Sequence, residues 1–377
     1  MPVSRRQFIR TSLALTMSSL VSSKTLFASN TLTTSDASVL AQELALKHQA
    51  EYTLVFASPY ASNESNFIPH MHSEFKHAIQ TLSQGKIYVE LHDNSRLGAG
   101  TELMAAVNRG KIDAALVSVS NLSRALPILD ILNIPFWASD SQAYLNLISS
   151  DVWQEKFLDV IKKQAKLEVL YHYLTGSRTL STTHTANQAI TRPEQLENQV
   201  LRVPSSQVLQ HFYQMTKANV VEVNWSKVAT MAKAGNIDAL DPGIIGLYAG
   251  PNNLRNEIST ISTLSTVPDA WVNVINQEWL RRLPTELQLA VREAAKETFL
   301  AQINKSSETG LNCRTAFEKM GCRIVTPTAE ERAVWQEMFG YQRPEWRDIK
   351  KELLGSTSLF DRLVEATHIP SEHKFKR

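Results

Sequence analysis

The chain has 377 residues, 43% of them hydrophobic and 20% charged, with 39 Lys and Arg against 37 Asp and Glu. That is enough apolar material for two ordinary domains or one large one, and it excludes a disordered or fibrous chain. The slight excess of cations sits at one end: without Arg5, Arg6, Arg10 and Lys24 the formal charge falls from +2 to about −2, so nothing argues for a nucleic-acid partner.

Residues 1–28, MPVSRRQFIRTSLALTMSSLVSSKTLFA, carry a charged region, a modest apolar stretch and a small-residue end at Ala28. With Ser4, Arg5, Arg6, Gln7, Phe8 and Ile9 in that order, the segment resembles a twin-arginine export signal. Its removal would leave a chain whose other apolar runs fall short of the roughly 18–20 residues of a membrane span, which implies a protein delivered folded to the periplasm. Cys313 and Cys322 are permitted to pair there. About two helical turns separate them, a spacing that argues against a bridge without settling it.

After a polar segment, residues 29–50, the chain alternates strands and helices. Strands are predicted at 53–58, 86–91 and 112–117, with helices between them carrying Phe75, Ala78, Ile79 and Leu82, then Leu103, Met104 and Val107, inward. Strand, helix, strand, helix, strand with right-handed crossovers makes a largely parallel α/β lobe. The same grammar returns with strands at 168–174, 200–204, 219–223 and 237–240. A strand at 267–276 and an i+4 stripe from Leu287 to Ile303 follow. If Gly310 does not break it, that stripe extends to Gly321 as a helix about 54 Å long, more than one lobe needs. The expected plan is therefore two-lobed. Lobe I spans 51–175 and is completed by about 268–310; lobe II spans 176–267 and is completed by about 311–345, with a peripheral segment at 346–377.

One short strand poses a chemical problem. In QVLRVPSS, residues 199–206, Arg202 interrupts an otherwise buried apolar run, and a buried guanidinium is costly unless something answers its charge. The partner is either an acid of the chain, such as Asp241 or Glu222, or a ligand. His70, His72 and Glu74 in PHMHSE lack a third ligand at metal spacing, Ser205 and Ser206 lack a nucleophile elbow, and no glycine loop for phosphate or other cofactor motif is present. Nothing prescribes catalysis.

A family likeness is carried by SQGKIYVEL (83–91), RLGAGTELMAAVNRGKIDAALVS (96–118), ILNIPFW (131–137), TGSRTLSTT (175–183), LRVPSS (201–206) and WSKVATMAKAGNIDALDP (225–242). In order and spacing these resemble the extracytoplasmic solute-binding proteins of tripartite ATP-independent periplasmic (TRAP) transporters, the dicarboxylate-binding-protein family, over roughly residues 52–335. The resemblance implies a two-lobed α/β protein, hinged by crossing segments and a long helix. Such a protein closes on a small organic anion (a dicarboxylate, a 2-oxo acid or a sugar acid) and hands it to the membrane subunits of a sodium-driven permease. It implies that Arg202 pairs with the substrate carboxylate and that Arg178 assists. Trp225 stands where an aromatic often stacks on ligand, Ser118 replaces a larger polar or acidic group, and Tyr60 follows the first strand.

The sequence also departs from the family pattern. Lys227, Val228 and Ala229 stand where a Glu before an aromatic is common, and the usual Gly-Gln-Glu-Asn reads Ala239, Leu240, Asp241, Pro242, so an amide that often touches ligand is missing. A periplasmic sensor for a receptor kinase would share this fold, and an exported enzyme would share the leader. The anion-binding reading is preferred because the two arginines are present and a cofactor motif is not.

Overall fold

The structure is a computed structural model that describes residues 34–64, 67–138 and 140–372. The segment 1–28, expected to be an export leader, lies outside them. The chain divides into two units, Met1–Ala45 and Leu46–Arg377. Of the first, the described part is the beginning of helix α1, Thr34–Gln49. The second holds two mixed sheets.

The strands, in chain order, are β1 (Tyr52–Ala57), β2 (Ile87–His92), β3 (Ala114–Ser118), β4 (Leu167–Ser177), β5 (Leu180–Thr183), β6 (Val200–Val203), β7 (Asn219–Glu222), β8 (Ala239–Leu240), β9 (Ile258–Ser262), β10 (Pro268–Asn276) and β11 (Arg323–Val325). One sheet has the order β2-β1-β3-β10-β4 and the other β11-β9-β5-β8-β6-β7. β1, β2 and β3 are parallel, as their α-helical crossovers α2 (Ser73–Leu82) and α3 (Gly100–Asn108) require. β10 then enters antiparallel between β3 and β4. In the second sheet β6 lies between β7 and β8, parallel to both, so its middle residue is enclosed on either side.

Two segments cross between the sheets. β4 ends at Ser177 and β5 begins at Leu180, while β9 ends at Ser262 and β10 begins at Pro268. Arg178 lies in the first crossing, and its backbone N–H donates to the Val267 carbonyl in the second at 2.8 Å. Strand alternation sends side chains to two apolar cores on opposite faces. Ala57, Val117, Leu201 and Val203 belong to one; Phe56, Leu116, Trp225 and Trp271 belong to the other. The helix predicted from Leu287 onward is continuous: α5, Thr285–Lys319, runs 35 residues through Gly310, about 52 Å. It packs against α2, β4, α4 (Ile244–Ala249) and β11, elements attached to both sheets.

Three features differ from expectation or lay open in the sequence. The C-terminal segment is not peripheral: α6 (Trp346–Leu354) and α7 (Thr357–His368) place Trp346, Phe360 and Leu363 in the core, and Trp346 Nε1 donates to the Phe339 carbonyl at 2.8 Å. No disulfide joins Cys313 and Cys322, and both are buried. Among the described residues no helix is long and apolar enough to cross a membrane.

His172 on β4 turns into the helical layer, where its Nδ1 meets Tyr144 Oη at 3.0 Å. Burial lowers its pKa to about 3. The folded state therefore holds the ring neutral while the unfolded chain protonates near 6.5, so this residue's contribution is complete above about pH 6.5 and is lost as pH falls toward 3. Replacing it with H172Q should flatten the acid limb of a stability-against-pH curve by about 1.4 kcal/mol per pH unit between pH 6 and 4. Denaturant titrations at stepped pH measure this, and an unchanged slope would contradict it.

Candidate functional site

Arg202 occupies the middle of β6, opposite Val221 on β7 and Leu240 on β8, with 3% of its surface exposed. Its neighbours Leu201 and Val203 face one core, so alternation turns the guanidinium to the other, aromatic face. There Nε and Nη2 donate to the Val223 carbonyl at 3.0 and 2.8 Å, and the guanidinium lies 5.2 Å from the Trp225 ring centroid. Among the described residues no carboxylate comes within 4.0 Å of it. Glu222 instead accepts from Gln210 at 3.1 Å and lies 3.8 Å from Arg124. Asp241 is turned to Arg178. Burial is the largest influence on Arg202 and brings its pKa down to about 10, with Asp241 opposing and Arg178 reinforcing the shift.

Arg178 has the opposite fate. It is 2% exposed, so it is not the solvated arginine that a loop position suggests, and its charge is met by the protein. Nη1 donates to Asp241 Oδ1 at 3.1 Å, and Nη2 donates to Ser120 Oγ at 3.1 Å and lies 3.3 Å from Asp269 Oδ1. Desolvation pulls its pKa down, but the two carboxylates outweigh it and the net direction is up. Asp241, fully buried, is shifted upward by desolvation against the pull of both arginines. Asp269 Oδ2 accepts from the Gly243 N–H at 2.9 Å. Only glycine fits at 243, since a Cβ there would lie 2.6 Å from the Thr175 carbonyl oxygen.

Arg178, Arg202, Ser118, Asn121 and Asp269 line one small cavity together with Trp225 and Trp271, and Pro204 and Pro242 close it. Its volume is about 10 Å³, room for about one water, so an organic ligand requires the lobes to part. A larger cavity of about 550 Å³ near Asp93, Arg96 and Arg255 shares no lining residue with it. Several buried polar atoms here have no protein partner: Ser118 Oγ, Trp225 Nε1, Trp271 Nε1 and Arg178 Nε. Such a concentration is costly unless a guest or water satisfies it.

Of the six residues singled out from the sequence, Arg202, Arg178, Trp225 and Ser118 meet at this cavity. Tyr60 and Asp241 do not line it. Tyr60 is buried behind the tryptophans, its ring centroid 4.9 Å from that of Trp271 and 6.4 Å from that of Trp225, and Asp241 sits behind Arg178. Sequence reasoning missed Asp269, Trp271 and Asn121. The signal was available for Asp269, a charge inside the apolar strand VPDAWVNVIN. Of the histidines of PHMHSE, His72 is buried with its Nε2 3.1 Å from Ser62 Oγ, and among the described residues no group of three or more His, Cys, Asp or Glu is placed to hold a metal ion.

Two α/β lobes joined by crossing strands, with a buried cation and unsatisfied donors in the seam, define a two-lobed solute-binding protein. Comparison with known proteins agrees. Residues 58–351 match the family described as Bacterial extracellular solute-binding protein, family 7, and the chain belongs to it. A curated relative, the C4-dicarboxylate-binding periplasmic protein DctP of Shewanella loihica, is 21% identical over 289 residues, 74% of this chain and 80% of that protein. The fold matches the sugar acid binding protein DctPAm from Advenella mimigardefordensis in complex with galactonate, with TM-score 0.75 and 16% identity, over 84% of this chain and 97% of that one. It also matches a TRAP periplasmic solute-binding protein from Sulfurospirillum deleyianum with bound succinate, with TM-score 0.74 and 20% identity, over 86% and 100%.

Among the described residues Arg178 is the one cation within ion-pair distance of two buried carboxylates, Asp241 and Asp269, so its loss leaves both without a counter-charge. R178M should lower unfolding stability by about 3–5 kcal/mol. Urea denaturation measures this, and a loss below about 1 kcal/mol would contradict the assigned role.

Proposed function

We propose that this protein is a periplasmic binding protein that closes on a small organic carboxylate and delivers it to the membrane subunits of a sodium-coupled TRAP permease. The observation that carries the reading is Arg202: a cation 3% exposed, beside a cavity, with no carboxylate of the described residues within 4.0 Å. A guanidinium presents two parallel N–H donors that match a carboxylate's two oxygens, which gives geometric selectivity as well as charge. Ser118 Oγ and the indole N–H groups of Trp225 and Trp271 supply further unsatisfied donors at the same place. In the parted state the guanidinium meets water; in the closed state the ligand carboxylate replaces it.

Closure is then a population shift, because the ligand favours the closed form only by the contacts it gains there. Arg178 has Nη1 and Nη2 engaged by the protein's own acids and Ser120, so we assign it chiefly to positioning, with Nε left to assist the ligand. The twin-arginine leader accounts for delivery to the periplasm. The ligands of those relatives, galactonate and succinate, share a carboxylate, the group assigned here to Arg202.

Charged hydrogen bonds contribute about 1.5–3 kcal/mol each, so R202A should weaken carboxylate binding by about ten- to a few hundred-fold. Calorimetry with dicarboxylates, 2-oxo acids and sugar acids tests it, the first ligand being whatever mass spectrometry finds carried through purification. Equal affinity in the variant would overturn the assignment.

A further inference from the structure

The charges that surround the cavity constrain the ligand beyond its carboxylate. Two guanidinium groups, Arg178 and Arg202, and two carboxylates, Asp241 and Asp269, are each no more than 3% exposed, so their formal charges cancel within one dry cluster. They are unevenly paired: Arg178 alone faces both acids, and Arg202 stands apart. A ligand carboxylate that takes Arg202 therefore leaves one negative charge in excess, on the Asp241 and Asp269 side. A dicarboxylate leaves two. In a low-dielectric interior each uncompensated charge is strongly disfavoured.

Asp269 is the acid that lines the cavity, while Asp241 stands behind Arg178. Trp225 and Trp271 line the same space, with ring centroids 6.5 Å apart, and aromatic faces attract cations. Ser118 lies directly across the sheet from Trp271, and its unpartnered hydroxyl, 2% exposed, adds an acceptor as well as a donor beside them. We propose that the ligand carries one carboxylate and one cationic nitrogen, with Arg202 receiving the carboxylate and Asp269, flanked by Trp225 and Trp271, receiving the nitrogen. This rests on Arg202 as the carboxylate anchor.

Two matched pairs test it by calorimetry on the whole protein: succinate against 4-aminobutyrate and glutarate against 5-aminovalerate, with glycine betaine and galactonate as further probes. The amino or betaine ligands should bind about tenfold or more tighter than the dicarboxylates, and D269N should abolish or reverse that order while R202A weakens both classes. If D269N does not fold, the order measured on the unaltered protein decides alone. Dicarboxylates or galactonate binding as tightly as the zwitterions, with R202A still harmful, would overturn the charge inference and leave the anchor standing. If none of these carboxylates bound, or if R202A were without effect, the anchor reading would fail, and this inference with it.

Discussion

A permanent cation in the middle of a parallel strand, enclosed on both sides by neighbouring strands, governs the arrangement of this protein. Taking a guanidinium out of water costs several kcal/mol in round terms, and two donations to one backbone carbonyl recover only part of that. The usual remedy is a carboxylate of the same chain. Two suitable carboxylates lie close by, and both are turned to a different arginine. The fold thus holds Arg202 without a carboxylate while giving Arg178 two.

The satisfied pair explains why the unsatisfied one can exist. Arg178 lies where β4 passes into β5, and Asp269 lies just after β9 has returned to β10, so their contact ties together the two segments that join the lobes. The Arg178 N–H to Val267 bond and the Gly243 N–H to Asp269 bond fix the same region through the backbone. A crossing tied in this way can carry lobes that move, and it keeps its acids from turning to Arg202. Ser120 reaches Arg178 and Ser123 reaches the Ser205 carbonyl from the other lobe, bonds that lobe opening would exchange for water.

Much of this architecture was legible. The alternation of β2 and the i+4 stripe of α5 are direct consequences of burial on one face, while the apolar run of β10 reflects burial on both. β5 and β9 escaped because LSTT and ISTIS are rich in hydroxyls; the structure satisfies these laterally, as where Thr182 Oγ1 meets Thr260 Oγ1 at 2.7 Å. Trp346 was hidden in the charged run PEWRDIKKELL, whose apolar residues turn inward because this helix packs on the distant segment Pro127–Asn133. At the site, the argument from a charge in a buried strand found Arg202 and, applied equally to β10, would have found Asp269. What no local pattern carries is pairing: that Asp241 belongs to Arg178 rather than to Arg202 depends on how two distant segments cross.

The most direct test of Arg202 as the vacant cation is arginine side-chain NMR on the ¹⁵N-labelled protein, with resonances assigned through R202K. On titration with a carboxylate ligand, the Arg202 guanidinium signals should shift and slow their exchange, while the Arg178 Nη signals, already held by Asp241, Asp269 and Ser120, should move little. Arg202 signals that stay unchanged at saturating ligand would contradict the account.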